Sequence, residues 1–266
     1  MKFANPPLVE LVAEVRWGAS STVLPASGQL VQIEGGTTNQ HEESFMRFGS
    51  RVAKDGFDRP ERLVPPGFPM LPGQVVYRYR YSAPDRGTSL YQIGPGVFSA
   101  NITPPYDNWE KFKPVVESGL ASLLDSRVEE DKAKPFDKIL LRYIDAFRPE
   151  LFEGKPLANF ISDTLGFGIS LPPVLKELVS SESSPKIALQ LQLELPSNMF
   201  LQIQFGEGQF AGESSVLMDT VVSTTSSIGP DISETMAAFD SAHAVIRRIF
   251  LGLTTKITEL MKPVQE

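Results

Sequence analysis

The residues of this chain that could do chemistry fall into a few groups. Glu10, Glu14, Arg16, Arg78, Arg80 and Arg142 occupy alternate positions of stretches with strand-like periodicity, each opposite an apolar set. Arginine forks presented this way suit a carboxylate, a phosphate or an acidic partner, because a guanidinium offers parallel donors at carboxylate spacing. The same residues are also what an antiparallel sheet with one wet face requires, tied by cross-strand ion pairs worth roughly a few tenths of a kcal/mol each. His243 lies three residues after Asp240, the spacing at which an aspartate could orient an imidazole as a general base, or simply form a surface pair on a helix. His41 has Glu42 and Glu43 beside it, too small a set to point to a metal.

Two histidines and no cysteine narrow the chemistry further. Disulfides, thiolate metal sites and a thiol nucleophile are excluded, and any Ser-His-Asp or His-rich metal site must use His41 or His243. Gly94-Pro95-Gly96 and Gly166-Phe167-Gly168 imitate phosphate loops, yet neither completes a dinucleotide or Walker pattern. Pro95 also lacks the amide a phosphate cradle would use, so the two read as a bulge and a turn. No catalytic set, metal or cofactor is expected.

Stepping from these residues to what must position them, the opening Leu8–Trp17 reads as a strand. Val9, Leu11, Ala13, Val15 and Trp17 take one face, and Glu10, Glu14 and Arg16 the other. Residues 18–40 are rich in Ser, Thr and Gly, with a short strand expected at Gln29–Ile33. Phe45, Phe48 and Val52 recur at helical spacing from His41 to Lys54, and Asp55–Gly73 is a proline-punctuated crossing without expected regular structure. Val75–Ser82 alternates, with Tyr77, Tyr79 and Tyr81 inward and Arg78 and Arg80 outward. It pairs through a turn at Pro84–Gly87 with a strand running from Ser89 towards Asn101. Asp107 is the expected N-cap of a helix, with Glu110 as its capping-box partner and an apolar stripe from Trp109 to Leu124 behind it.

A charged run, Arg127–Lys134, separates this from a strand at Lys138–Phe147. Short helices follow near Leu157–Thr164 and Pro173–Ser180. The cleanest hairpin is then Ile187–Leu195 turned by Pro196-Ser197-Asn198 into Met199–Phe205, followed by a strand at Ser215–Thr224 and a helix at Ser233–Met261. The fold expected is α+β: two similar halves, residues 1–134 and 135–266, packed as one unit. Each half is an antiparallel sheet covered on one face by long amphipathic helices, in a saddle-like or helix-grip arrangement. A length of 266 residues, with 41% hydrophobic and 21% charged side chains, suits a sizeable core. The net charge of -7 argues against nucleic acid as a partner. No stretch has the ~20 apolar residues of a membrane span, and residues 1–20 lack a signal-peptide core, so a cytoplasmic location is expected.

Several stretches resemble one known family. They are Asn5-Pro6-Pro7-Leu8-Val9-Glu10 with Glu14-Val15-Arg16-Trp17; Gln92–Asn101, continuing through Pro105-Tyr106 to Trp109-Glu110 and Phe112; Leu141-Arg142-Tyr143-Ile144-Asp145; and Asp240-Ser241-Ala242-His243. The chain is similar along nearly its whole length to an uncharacterised, sporadically distributed family of bacterial proteins, whose members more commonly carry Asn where this chain has Asp145. The resemblance implies a prokaryotic cytosolic protein and transfers no activity or catalytic residue. Sporadic distribution implies an accessory component of a mobile-element, toxin–antitoxin or phage-defence locus.

The function expected is that of a non-enzymatic binding module. It recognises a protein partner, a second copy of the chain or a small ligand through Glu10, Glu14, Arg16, Arg78, Arg80, Arg142 and His243, together with the proline-rich crossing. The alternative is a metal-independent enzyme acting on nucleotides or RNA through the same Arg/Glu face. An enzyme should bring these charges together in a concave pocket with buried, perturbed carboxylates, whereas a binding module should spread them over an open face.

Overall fold

The computed structural model describes residues 2–18, 38–82, 87–168, 172–178 and 188–264. The strand expected at Gln29–Ile33 and the turn residues Pro84–Arg86 lie outside the described residues. The elements in chain order are β1 (Lys2–Phe3), β2 (Leu8–Arg16), α1 (Thr38–Val52), β3 (Arg59–Arg62), β4 (Tyr77–Arg80), β5 (Leu90–Gly94), β6 (Val97–Ile102) and α2 (Trp109–Ser126). Then come β7 (Lys138–Phe147), α3 (Pro149–Phe152), α4 (Leu157–Asn159), which runs into a π-turn at Phe160–Thr164, α5 (Pro173–Leu178), β8 (Leu189–Leu195), β9 (Met199–Phe210), β10 (Glu213–Thr224), α6 (Ile232–Leu253) and β11 (Pro263–Val264).

Nine of these strands make one antiparallel sheet in the order β3-β4-β5-β6-β2-β7-β10-β9-β8. The expected pair of separate sheets is therefore replaced by a single sheet that crosses the 134/135 boundary. The joint is the β2–β7 pair, in register from Glu10 opposite Ile144 to Arg16 opposite Lys138. The class, α+β with helices packed on an antiparallel sheet, is as expected.

Register explains which side chains go inward. One row crosses the sheet through Tyr79, Tyr91, Ala100, Ala13, Leu141, Val222, Leu201 and Leu193. Apart from Leu193 at the β8 edge, these residues are buried. The helices cover this side. α1 sets Phe45 beside Tyr77 and Phe48 among Tyr79, Tyr91 and Phe98, while α6 lies over β7 and β10. The row one residue out of phase runs Glu61, Arg78, Gln92, Ser99, Glu14, Leu140, Ser223, Phe200 and Glu194 and occupies the opposite face.

Several local expectations are corrected. Asn108, not Asp107, caps α2: its backbone is extended and its side chain accepts the Lys111 amide at 3.0 Å. Asp107 lies one residue too early to cap and instead holds the ammonium groups of Lys2 and Lys111. Gly94-Pro95-Gly96 is a hairpin turn between β5 and β6 rather than a bulge. The proline-rich crossing contains β3, whose Pro60 is tolerated because β3 is an edge strand. The final helix ends at Leu253, where the Thr254 hydroxyl accompanies its own amide onto the Phe250 carbonyl, and a short 3-10 turn follows at Thr255–Ile257. β11 then pairs with β1, bringing the chain's start against the segment that follows α6.

Gly94 tests the crowding at the β5–β6 turn. A Cβ there would sit 1.8 Å from the Gln74 carbonyl oxygen, in backbone held by the Val76 amide on Ile93 and the Gln74 amide on Leu71. Gly94→Ala is expected to destabilise the chain by about 2 kcal/mol or more. Urea denaturation reads this as a lowered midpoint with an unchanged slope.

Candidate functional site

The inward face of the sheet is apolar with one conspicuous departure. On β7, Ile139, Leu141, Tyr143, Asp145 and Phe147 share the side that faces the helices, so strict alternation carries an aspartate into the core. On β10 the matching inward positions are Val216, Met218, Thr220 and Val222, with Met218 opposite Asp145 and Thr220 opposite Tyr143. β2 begins beside them with a bulge: Leu8 pairs with Asp145 but Glu10 pairs with Ile144, leaving Val9 as the extra residue. Bulges bend a strand and re-aim its neighbours, and this one falls where Leu8 and Pro7 meet Asp145 and Ala146, at the edge of a cavity.

Between this corner of the sheet, the start of α2 and the underside of α6 lies a half-open cavity of about 320 Å³. Asp145, Thr220 and Tyr143 line its floor, Tyr106 and Trp109 one wall, and His243 the wall formed by α6. Asp145 is only 3% exposed and accepts no hydrogen bond among the described residues. Thr220 is 1% exposed, and its hydroxyl likewise has no partner among them. Two buried polar side chains without a hydrogen-bond partner among the described residues thus line one cavity. Such groups are uncommon in folded proteins and are usually accounted for by function or by a bound molecule.

Burial, reinforced by the charge of Asp219, pushes the Asp145 carboxyl up to about 8, so it carries its proton near neutrality and presents both a donor and acceptors. Burial likewise lowers His243 to about 4, helped by the nearby Arg247 and partly offset by Asp240, so the imidazole is neutral. Its Nδ1 is 2.8 Å from the Tyr143 hydroxyl, and its ring stacks on Trp109 with centroids 5.4 Å apart. Burial holds Tyr143 well above its ordinary value and raises Tyr106 to about 12. The floor of the cavity is therefore uncharged but densely supplied with hydrogen-bonding atoms. The charges stand around it: Lys2 on Asp107, Glu110, and the exposed Arg247.

Asp240 does not orient His243. Its carboxylate accepts the Trp109 indole at 2.8 Å and the Lys113 ammonium at 2.7 Å, fastening α2 to α6. Burial opposes its ionisation, but those two donors outweigh it and hold the group below its ordinary value. The i,i+3 spacing is compatible with a general-base pair or a surface pair on one helix, and the aspartate instead bonds a neighbouring helix.

The charged strand residues lie on the side of the sheet opposite α1 and α6. Arg142 makes a two-pronged bond to Asp219 at 2.8 and 2.6 Å, and Arg16 reaches Glu14 at 2.5 Å. Arg78 and Arg80 approach Glu61 at 3.3 and 3.9 Å, and Glu10 accepts the Asn101 amide at 2.9 Å. They are spread along the face and matched by neighbours in the chain rather than converging. His243 belongs to the other side, so the seven residues expected to act together are not brought together. His41 stacks on Phe45, and no group of three or more metal-binding side chains occurs among the described residues. No helix among them is long and apolar enough to cross a membrane.

Asp145 was not among the expected site residues. The signal was present as parity: it shares its phase with Ile139, Leu141, Tyr143 and Phe147, so the alternation that exposes Arg142 buries it. Thr220 carried no such mark, because threonine is common on either face of a strand. Compared with family models, curated proteins and solved structures, the chain matches none.

Stability against pH should carry the signature of the cavity. Asp145, raised from 3.8 to about 8 on folding, contributes stability below its unfolded value that is lost as pH climbs towards 8, at about 1.4 kcal/mol per unit. His243, lowered from 6.5 to about 4, acts in the opposite sense, with stability that is present above 6.5 and lost as pH falls towards 4. The two slopes oppose each other between those values, leaving Asp145 alone to lower stability from 6.5 to 8. Asp145→Asn is expected to abolish that decline and to exceed the parent's stability at the alkaline end, as read by urea denaturation across the range.

Proposed function

We propose that the chain is a binding module that takes a small, largely apolar ligand into the cavity beneath α6. The observation that carries this reading is the pair of buried, unpartnered polar side chains, Asp145 and Thr220, in an aromatic-walled space of about 320 Å³. That volume is near the lower end of small-molecule pockets, roughly 300–1,000 Å³, and an apolar lining with a few convergent polar groups is their usual construction. The position of α6 over β7 and β10 supports the helix-grip form of the fold, with the ligand held between helix and sheet. The charged face serves as the solvated side of the sheet, since its arginines already have carboxylate or amide neighbours. An accessory, sensing role accords with the sporadic bacterial family that the sequence resembles.

A metal-independent enzyme is the second reading, and the acid in the cavity favours it more than the arginine face does. A carboxyl that titrates near neutrality is suited to carry a proton to or from a bound substrate. Binding is preferred because Asp145 makes no hydrogen bond to another side chain among the described residues, so the acid is not coupled to an activated nucleophile or a proton relay there.

The neutral fluorophore N-phenylnaphthylamine reports occupancy of an apolar cavity. Saturable fluorescence enhancement with one site per chain is expected. Thr220→Leu removes an unsatisfied hydroxyl and fills the space, so it should weaken binding about tenfold or more without loss of melting temperature. Arg142→Ala, on the far side of the sheet, should leave binding unchanged. Equal affinity in all three proteins would overturn the assignment.

A further inference from the structure

We infer that the ligand of this cavity is an organic cation, an amine bearing an apolar or aromatic group, whose nitrogen docks against Asp145. The inference rests on the cavity being a ligand site and names the class of ligand. It begins from what Asp145 lacks. A buried carboxyl in a folded chain is ordinarily matched by a cation or by several donors, and here neither reaches it. Of the cations nearby, Lys2 is held by Asp107 and Lys113 by Asp240, and Arg247 lies at the exposed edge of the cavity without a hydrogen bond to Asp145.

The walls point the same way. Trp109, Tyr106, Tyr143, Phe3 and Phe250 all border the space, Phe3 and Phe250 edge to face at 6.3 Å. Aromatic faces attract an alkylammonium through their quadrupoles and shield its apolar substituents from water. The Thr220 hydroxyl, one residue pair along the floor, can accept a second N–H from the same nitrogen or a neighbouring one. A neutral alcohol or an anion would leave Asp145 in its protonated form, whereas an ammonium supplies the counter-charge with which the carboxyl can ionise in place.

Docking a cation requires Asp145 to give up its proton. Facing or flanking the carboxyl are Tyr143 and Tyr106, His243 and Arg247 from α6, Glu110 from α2, the Lys2–Asp107 pair at the rim, and Asp219 behind the sheet. With His243 neutral and the tyrosines protonated, Asp145 is the group whose proton is exchanged for the ligand. Binding of an ammonium should therefore release one proton, and affinity should rise about tenfold per pH unit below the titration of Asp145.

Calorimetry on the full chain with naphthylmethylamine, naphthylmethanol and naphthoate, between about pH 6 and pH 8, tests this against isosteres of different charge. The amine is expected to bind at least about tenfold tighter than the alcohol at the upper end, with naphthoate showing no binding. Its heat should change with the ionisation heat of the buffer in the proportion of one released proton. Asp145→Asn should equalise amine and alcohol and remove the pH slope. On the unmodified chain, an alcohol that matches the amine, or naphthoate binding best, overturns the cationic class. So does failure of all three to displace bound N-phenylnaphthylamine. If the fluorophore itself does not bind, the cavity reading falls and the ligand class falls with it.

Discussion

A strand hydrogen-bonded along both edges, with one face apolar and the other charged, has a single acceptable register, and β2 is such a strand. It pairs with β6 on one side and β7 on the other, and so joins the first four strands of the sheet to the last four. A slip of one residue would carry Glu10, Glu14 and Arg16 under the helices and expel Leu11, Ala13 and Val15. That cost fixes the phase of both neighbours, and through them of the rows that cross all the strands between β4 and β8. The two faces of the sheet, one apolar and covered by helices and the other polar with half-buried charges, follow from the parity of this one element.

The same parity creates the cavity. Once Leu141 is inward, Tyr143 and Asp145 must be inward too, and the bulge at Val9 shifts the register of β2 just where Leu8 meets Asp145. α2 and α6 cannot close the gap, because their separation is set by Asp240 bridging to Trp109 and Lys113 and by His243 stacking on Trp109. A chain selected only for stability would have an aliphatic side chain at 145 and a valine at 220. Retention of an acid and a hydroxyl without partners costs stability, and such a cost is ordinarily accepted at a functional site.

Much of the sheet was legible in the sequence because period-two alternation survives wherever one face is wet. β2, β7, the β8–β9 hairpin and β10 could be read from it directly, as could the amphipathic stripes of α2 and α6. What could not be read was how strands from distant segments pair. The single sheet depends on β2 meeting β7, a contact between residues more than a hundred positions apart that leaves no local mark. Arg127 shows the same limit. In a run of eight residues that reads as a charged separator, it is 2% exposed, with its guanidinium 4.8 Å from the Trp17 ring and 5.2 Å from that of Phe136. Asp131 in the same run accepts the Trp17 indole at 2.8 Å. These charges turn inward because a strand end and a helix end meet there, and composition alone says nothing of that meeting.

The distinction between an open charged face and a converging pocket proves to apply to opposite sides of one sheet. The arginines meet the expectation for a spread surface: each has a neighbour of opposite charge or a polar amide, and exposed pairs of this kind contribute roughly 0–1 kcal/mol and are screened by salt. Asp145 meets the expectation for a pocket, and its burial shifts the balance between its charged and neutral forms by more than any one of those pairs contributes. Charge abundance therefore points to one side of the sheet and the buried acid to the other. Surface charges are numerous because water tolerates them at little cost, so their number carries little information about a site. A single acid in an apolar row is expensive wherever it occurs, and that expense is the ground on which the proposed site is placed at the helix-covered face.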